Sequence, residues 1–250
     1  MKLIVGGLAF EYKSKKVLKD VSFKIGKNEF ISILGPNGVG KTTLLRCLNR
    51  ILKPSRGNII LDDEDLFSLS REEIAREISY VSQKSESNRL TAFDAILMGR
   101  IPYVEWKIRA SDIEKVHSII RALNLEDLSL RYIDEMSGGE LQKVCIARAL
   151  VQEPNIILLD EPTSSLDLKN QQEILKLITE IIHSHNLSTI MTVHDINTAL
   201  HFSDKILFLK GGIIYNAIKP EEVTAEIIEE VYEVKVKIHQ VEGKKYIFPE

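Results

Sequence analysis

The chain has 250 residues, of which 44% are hydrophobic and 28% are charged. This composition is typical of a globular protein with ample material for a buried core. The 33 basic and 36 acidic residues give a net charge of -3. That balance argues against a protein that coats nucleic acid, so we expect no nucleic-acid partner.

The cysteines and the N-terminus also narrow the class of protein. Cys47 and Cys145 are far apart and form no CxxC pair, so we expect two reduced, buried thiols. The apolar opening, residues 1–10, is too short and lacks the processing pattern of a signal peptide. No run approaches the roughly 18 apolar residues that span a bilayer. We therefore expect any membrane role to depend on a partner.

The first third of the chain alternates strand-like and helical patterns. Five strands are predicted, at residues 2–10, 17–25, 29–34, 58–61 and 78–82. A glycine-rich turn precedes a helix over 41–52, which Pro54 and Gly57 are expected to end.

The middle of the chain is predicted to be helical. Helices are expected at 92–98, 111–123 and 140–152, with no convincing strand before residue 156. Strand and helix patterns then alternate again, with strands at 156–160, 189–193 and 205–210 and an amphipathic helix at 171–183. The tail from residue 221 is predicted to form a helix and then a hairpin that turns near residues 242–244.

Apolar strands that alternate with helices indicate an α/β fold with a mostly parallel sheet. We predict one domain, 1–250, with antiparallel N-terminal strands and a helical insertion. Its catalytic α/β lobe comprises 1–83 and 154–250, and its helical subdomain comprises 84–153.

A phosphate-binding loop is indicated between the predicted strand 29–34 and the helix that follows. Residues 35–42, GPNGVGKT, fit the pattern G-x-x-x-x-G-K-[ST]. Glycines let successive backbone N–H groups face an anion, and the helix N-terminus favours phosphate. Lys41 supplies charge for the β- and γ-phosphates, and Thr42 supplies a hydroxyl for Mg²⁺. The candidate nucleotide-binding residues here are Gly35, Pro36, Asn37, Gly38, Val39, Gly40, Lys41, Thr42 and Thr43.

Two carboxylates end the apolar strand predicted at 156–160. Asp160 is expected to lie beside the phosphate loop, where it can organise Mg²⁺. Glu161 can polarise the water that attacks the γ-phosphate. A buried strand with a charged end is a common alternative, but the upstream loop favours the catalytic interpretation.

A second glycine-rich helix start follows Met136. Ser137, Gly138 and Gly139 immediately precede the predicted helix at 140–152, which creates another candidate phosphate site. A single nucleotide has no obvious need for two such sites in one chain. Two chains packed head to tail would pair each phosphate loop with the other chain's serine–glycine element.

Taken together, these motifs resemble the ATP-binding cassette (ABC) family over essentially the whole chain. Residues 35–43 resemble its Walker A loop, and 137–142 resemble its signature sequence. Asp160 and Glu161 resemble the Walker B aspartate and the catalytic glutamate. Residues 164–167 resemble the D-loop.

Three further matches come only from the resemblance. Gln83 matches the Q-loop glutamine, which in the family senses Mg²⁺ and the transport subunit. His194 matches the switch histidine that contacts the γ-phosphate, and Tyr12 matches the aromatic residue that stacks on adenine. A tyrosine or histidine near a strand is more often structural, so their order along the chain carries this interpretation.

The resemblance implies a P-loop NTPase core of RecA-like fold that hydrolyses ATP with Mg²⁺. Glu161 and His194 would be catalytic, and Thr42, Gln83 and Asp160 would organise Mg²⁺. The remaining nucleotide contacts would come from Tyr12, Gln83, Ser137, Gly138, Gly139, Glu140 and Asp167. The chain would form a homodimer, peripheral at the cytoplasmic face of the membrane, beneath integral permease subunits that receive cargo from an external substrate-binding protein.

Four departures from the family pattern are modest. Met136 replaces a leucine, Leu141 stands where arginine or glutamine is frequent, and Ser165 replaces an alanine. Asn28 replaces a common glycine in the turn before the Walker A strand. None removes a phosphate ligand or the catalytic carboxylate, so a competent ATPase is expected.

The segment 99–102, Gly-Arg-Ile-Pro, resembles importers of iron chelates, haem and cobalamin. It is expected to lie where the cassette meets its membrane partner, and Trp106 is expected to pack on that partner or on its own helical insertion. The tail, 220–232 with Phe248 and Pro249, resembles the same group. Importers of molybdate or tungstate, and a soluble ATPase of iron–sulfur cluster assembly, stay open as alternatives.

Overall fold

The computed structural model describes residues 3–13, 15–83 and 89–250, without the side chains of His183 and His185. Its strands are β1 Leu3–Tyr12, β2 Lys15–Ile25, β3 Phe30–Leu34, β4 Arg56–Leu61, β5 Glu64–Asp65, β6 Ile78–Val81, β7 Ile156–Asp160, β8 Ser188–Thr192, β9 Lys205–Lys210, β10 Ile213–Ile218, β11 Val236–Val241 and β12 Lys244–Pro249. Its α-helices are α1 Lys41–Leu48, α2 Arg71–Glu77, α3 Ala92–Leu97, α4 Ala110–Ala122, α5 Gly138–Leu150, α6 Leu168–His185, α7 Ile196–Phe202 and α8 Ala225–Tyr232.

The first ten strands form one mixed sheet in the order β5-β4-β1-β2-β10-β9-β3-β8-β7-β6. Strands β9, β3, β8, β7 and β6 are parallel neighbours, whereas β1, β2, β4 and β5 pair antiparallel. Strands β11 and β12 form a separate hairpin. The predicted parallel core, N-terminal antiparallel strands and C-terminal hairpin are therefore confirmed.

Apolar side chains cover both faces of the sheet. One core cluster joins the β1 and β2 strands to α1 and includes Leu44 and Leu48. The other joins the parallel strands to α5, α6 and α8 and includes Ile146 and Ile174. Strands β3 and β7 are buried along their full length, because helices cover both faces of the parallel strands. This packing fixes the carboxyl ends of those strands.

Helices occupy the chain between β6 and β7, and they share a core cluster with the parallel strands. The predicted start of the helical subdomain at residue 84, and of the first strand at residue 2, lie outside the described residues. The division of the chain into two lobes stays a prediction. None of the helices in the described ranges is long and apolar enough to cross a membrane.

Several element predictions need correction. The helix predicted over 41–52 ends at Leu48, because Asn49 leaves the helical conformation and Arg50 adopts a left-handed φ of 51°. Helices α2 and α7 and strands β5 and β10 are not in the prediction. Trp106 is 96% exposed, so it does not pack on its own helical segment.

The segment 99–102 also differs from expectation. It lies in a 3₁₀ helix, Met98–Tyr103, and the Arg100 guanidinium is buried. Arg100 Nε lies 3.0 Å from an Asp112 carboxylate oxygen, and Nη1 donates to the Val151 carbonyl at 2.8 Å. Arg100 therefore joins α4 to the end of α5, and it does not present its charge to a membrane partner.

Candidate functional site

The phosphate loop connects β3 to α1 at the carboxyl end of the parallel strands, where open α/β sheets bind ligands. Its tight path depends on two glycines. Gly35 has a φ of 154°, and a Cβ there would lie 2.3 Å from the Leu209 carbonyl oxygen. Gly40 has a φ of 114°, and its Cβ would lie 2.8 Å from a Val17 methyl group. Side chains at these positions would displace the loop from β9 and β2.

Lys41 begins α1 and is 5% exposed. Its Nζ donates to the Gly35 carbonyl at 2.8 Å, which holds the ammonium inside the loop. Burial lowers the pKa of Lys41, and the nearby Glu161 and Asp160 carboxylates oppose that change. This arrangement suits a cation that exchanges carbonyl partners for phosphate oxygens.

Asp160 ends β7, and three hydroxyl groups contact its carboxylate. Thr42 and Thr192 donate to Oδ1 at 3.0 and 2.8 Å, and Tyr80 donates to Oδ2 at 2.9 Å. The predicted pairing of Asp160 with the phosphate loop is therefore present in the structure.

Glu161 lies one residue beyond β7 with a left-handed φ of 51°. Its backbone N–H donates to the Thr192 hydroxyl at 2.9 Å, and its carboxylate is 8% exposed. Gln83 Nε2 donates to Glu161 Oε2 at 2.6 Å, and His194 Nε2 lies 2.6 Å from the same oxygen. The structure therefore brings Gln83, Glu161 and His194 together at one carboxylate.

A cavity of about 290 Å³ lies over the phosphate loop. Tyr12, at the end of β1, forms part of its wall and packs edge-on against Phe10 with ring centroids 4.7 Å apart. Tyr12 is 43% exposed, so its ring face is available to a flat ligand such as adenine. The lining residues are Tyr12, Lys15, Val17, Asn37, Gly38, Gly40, Lys41, Thr42, Thr43 and Glu161.

The serine–glycine element is not part of this cavity. Ser137 caps α5, and Glu140 completes a capping box by accepting the Ser137 N–H at 2.8 Å. Hydrogen bonds from Ser137 lower the pKa of Glu140. Asp167 likewise caps α6 by accepting the Asn170 N–H at 2.8 Å. Within one chain these predicted nucleotide contacts stabilise helix ends and do not line the cavity.

The residues around Asp160 fit a Mg²⁺ ion. Mg²⁺ prefers oxygen ligands, often one or two carboxylates together with substrate phosphates and water. Because Thr42 donates its proton to Asp160, its oxygen lone pairs stay available to a cation. The Gln83 amide donates through nitrogen, so its oxygen is likewise available. Thr42, Asp160 and Gln83 would hold the metal, which would supply charge neutralisation at the phosphates.

Two functional side chains are absent from the prediction. Thr192 is fully buried at the end of β8 and contacts both carboxylate residues through one hydroxyl. Tyr80 lies in β6, three residues before Gln83. The sequence carries one signal for both residues. Each has a hydroxyl group near the carboxyl end of a predicted strand, and each lies within three residues of a predicted site residue, Gln83 or His194.

Comparison with known proteins gives consistent matches. The ABC transporter family model matches residues 18–164. An uncharacterized ABC transporter ATP-binding protein of Methanocaldococcus jannaschii is 49% identical, over 100% of this chain and 98% of the relative. A petrobactin import ATP-binding protein of Bacillus subtilis is 33% identical over 96% of each chain. A phosphonates import ATP-binding protein of Haloarcula marismortui is 36% identical over 92% of this chain and 89% of the relative.

Solved structures agree with these sequence matches. An inward-facing transporter, described as being of the metal-chelate type, has a TM-score of 0.85 and 28% identity. The match covers 99% of this chain and 97% of the solved chain. A dimeric ATP-binding cassette in a post-hydrolysis state with ADP and Pi has a TM-score of 0.76 and 28% identity, over 87% of this chain and 98% of that one.

Proposed function

Because this chain belongs to the ABC transporter family, in which ATP hydrolysis is the characteristic activity, we propose that it is the ATPase subunit of an importer of metal chelates. The cargo class comprises iron–siderophore complexes, haem and cobalamin. Two chains form a head-to-tail homodimer beneath separate permease subunits at the cytoplasmic face of the membrane. An external binding protein delivers cargo to the permease.

The ATPase proposal depends most on Glu161, which lies beside the phosphate loop and is contacted by two other predicted site residues. Its carboxylate lines the cavity and contacts both Gln83 and His194. Glu161 acts as the general base that orients the attacking water, and His194 fixes the carboxylate and the γ-phosphate end of the site. Lys41 and the loop N–H groups bind the phosphates, and Tyr12 stacks on adenine.

The dimer proposal follows from the position of the serine–glycine element. Ser137, Gly138 and Gly139 begin a 13-residue helix and lie outside their own chain's cavity. A second chain would bring this helix N-terminus to the exposed phosphate end of bound ATP, where its dipole and N–H groups favour the γ-phosphate. The dimeric cassette with ADP and Pi supports this arrangement.

The cargo class is supported by relatives and by a solved structure. The B. subtilis relative is named as a petrobactin import ATP-binding protein, and the solved structure that overlaps 99% of this chain is described as being of the metal-chelate type. The phosphonate relative supports a different cargo. The buried Arg100 side chain gives no direct contact with cargo or permease, so the cargo proposal rests on these relatives.

The test is a pull-down of the tagged Glu161→Gln protein from detergent-solubilised membranes of its native host. We expect a polytopic membrane protein at roughly one copy per cassette. Trp106→Ala is the matched comparison, because this exposed side chain is proposed to face the permease, and we expect that variant to recover less of it. Recovery of soluble partners alone would overturn the importer proposal and favour the cluster-assembly alternative.

A further inference from the structure

Tyr80 connects the edge of the parallel sheet to the Asp160 carboxylate. It lies in β6, which pairs with β7 as the last strand of the sheet. Its ring packs against the core cluster that covers the α1 face of the sheet. Its hydroxyl donates to Asp160 Oδ2 at 2.9 Å. The ring is therefore held by packing while its polar end contacts the carboxylate.

The hydroxyl contacts of Asp160 are divided between its two oxygens. Thr42 and Thr192 both donate to Oδ1. Tyr80 is the hydroxyl donor to Oδ2 among the described residues. Contacts on both oxygens restrict rotation of the carboxylate about its Cβ–Cγ bond, and Tyr80 supplies the restraint on Oδ2 that the two threonines do not.

The Tyr80 hydroxyl acts as a hydrogen-bond donor at neutral pH. A tyrosine phenol, with an ordinary pKa of about 10, keeps its proton at neutral pH. Arg46, on α1, interacts electrostatically with Tyr80 and with Asp160. It adds positive charge beside the phenol, whose proton is directed at Asp160.

We propose that Tyr80 is a positioning residue that orients the Asp160 carboxylate for Mg²⁺ when nucleotide binds, with Arg46 supporting it. This inference rests on the proposed ATPase function. Residues that hydrogen-bond a metal-organising carboxylate lower the cost of ordering it, and their removal typically weakens metal affinity about 10-fold or more. Tyr80 therefore affects metal binding through Asp160, and no contact between Tyr80 and adenine or phosphate is proposed.

The test is calorimetric binding of a non-hydrolysable ATP analogue to Tyr80→Phe, first in EDTA and then over a series of Mg²⁺ concentrations. The variant removes one oxygen and keeps the ring. We expect the Mg²⁺ concentration that half-saturates the enhancement of binding to rise about 10-fold. Binding in EDTA should stay within about twofold of wild type, since the phosphate loop is unchanged.

Tyr103→Phe is the matched control, because that hydroxyl donates to the Gln152 carbonyl at 2.9 Å, away from Asp160. An unchanged Mg²⁺ requirement in Tyr80→Phe, or equal weakening in EDTA, would overturn the inference. If Tyr80→Phe fails to fold, Arg46→Met, which removes the positive charge beside Tyr80 and Asp160, should raise the Mg²⁺ requirement and leave binding in EDTA unchanged; an unchanged requirement would overturn the inference there too. Absence of binding by the wild-type protein would instead contradict the proposed ATPase function.

Discussion

At the scale of single residues, the site depends on hydroxyl groups that orient its carboxylates. One Thr192 hydroxyl donates to Asp160 and accepts the N–H of Glu161. Glu161 has a left-handed backbone conformation, which costs a non-glycine residue of order 1–3 kcal/mol and persists only where neighbours fix it. Thr192 is one of those neighbours, so it links the geometry of Asp160, at the proposed metal site, to that of Glu161, the proposed general base.

Thr192→Val tests this link with little change of shape. The variant removes one donor from Asp160 and one acceptor from Glu161. We expect the free energy of unfolding to fall by about 1–2 kcal/mol and kcat to fall roughly 10-fold. Denaturant titration and steady-state ATPase assays would measure the two effects.

Thr189→Val is the control on the same strand. Thr189 is also fully buried, but its hydroxyl has no hydrogen-bond partner among the described residues. Removing an unpaired buried hydroxyl should leave stability unchanged or increased. If both variants had the same effect on kcat, the specific role of Thr192 would be wrong.

At the scale of elements, Arg100 stabilises the helical part of the chain from inside. It contacts Asp112 on α4, and its guanidinium lies 4.0 Å from the centre of the Tyr103 ring. A third contact, with Glu153 at 3.0 Å, lies just beyond α5. Because α5 begins at the serine–glycine element, these contacts fix the far end of the helix that is proposed to meet the second ATP.

We expect Arg100→Met to lower the free energy of unfolding by about 3–5 kcal/mol, since it leaves the Asp112 carboxylate buried without its charge partner. Arg109→Met is the control, because that side chain is 61% exposed and its pair with Glu105 spans 3.6 Å. We expect that control to change stability by at most about 0.5 kcal/mol. Equal effects of the two variants in denaturant titrations would contradict the structural role of Arg100.

The same contacts predict a dependence of stability on pH. Burial alone would raise the pKa of Asp112, but hydrogen bonds from the Arg109 N–H and from Arg100 outweigh it and leave the pKa below its usual value. A carboxyl with a lowered folded-state pKa contributes its full stability above its unfolded pKa of about 3.9, and loses it as pH falls through the folded value. Arg100→Met should make this acid loss smaller, because it raises the folded-state pKa of Asp112 towards the unfolded value, and denaturant titrations as pH falls below the unfolded value would measure the difference.

The elements that the sequence predicted well are those with strong local patterns. Strands 156–160 and 205–210 match β7 and β9 to the residue, because each contains a continuous apolar run that ends at a charged residue. Helix α2 is absent from the prediction, although Ser70 and Glu73 form a capping box. It has seven residues and buries only Ile74 among them, so its periodic signal was too short to recognise.

The site could be predicted from motifs only in part. Contiguous patterns gave Lys41, Asp160 and Glu161, and their contacts appear in the structure. Tyr80 and Thr192 reach Asp160 from separate strands, 80 and 32 positions away. No local pattern encodes such pairings, since they depend on the order of strands in the sheet. The nucleotide contacts proposed for Ser137 and Asp167 stay predictions.

At the scale of the whole molecule, the sheet assembles one half of the proposed catalytic site. The carboxyl ends of β3, β7 and β8 bring the phosphate loop, Asp160 and His194 to one edge. The serine–glycine helix start lies outside the resulting cavity. A complete site in this account needs a second chain, so ATP binding and dimer formation should be one event.

The most direct test of this claim is the molar mass of the Glu161→Gln protein in solution, by light scattering, with and without Mg-ATP. Because Glu161 is the proposed general base, this variant should block hydrolysis and leave the phosphate contacts intact. We predict a stable dimer with Mg-ATP, a monomer with ADP, and a monomer when Lys41→Ala is added to the same background. A protein that binds Mg-ATP and stays monomeric, or that hydrolyses ATP at the wild-type rate, would contradict the account.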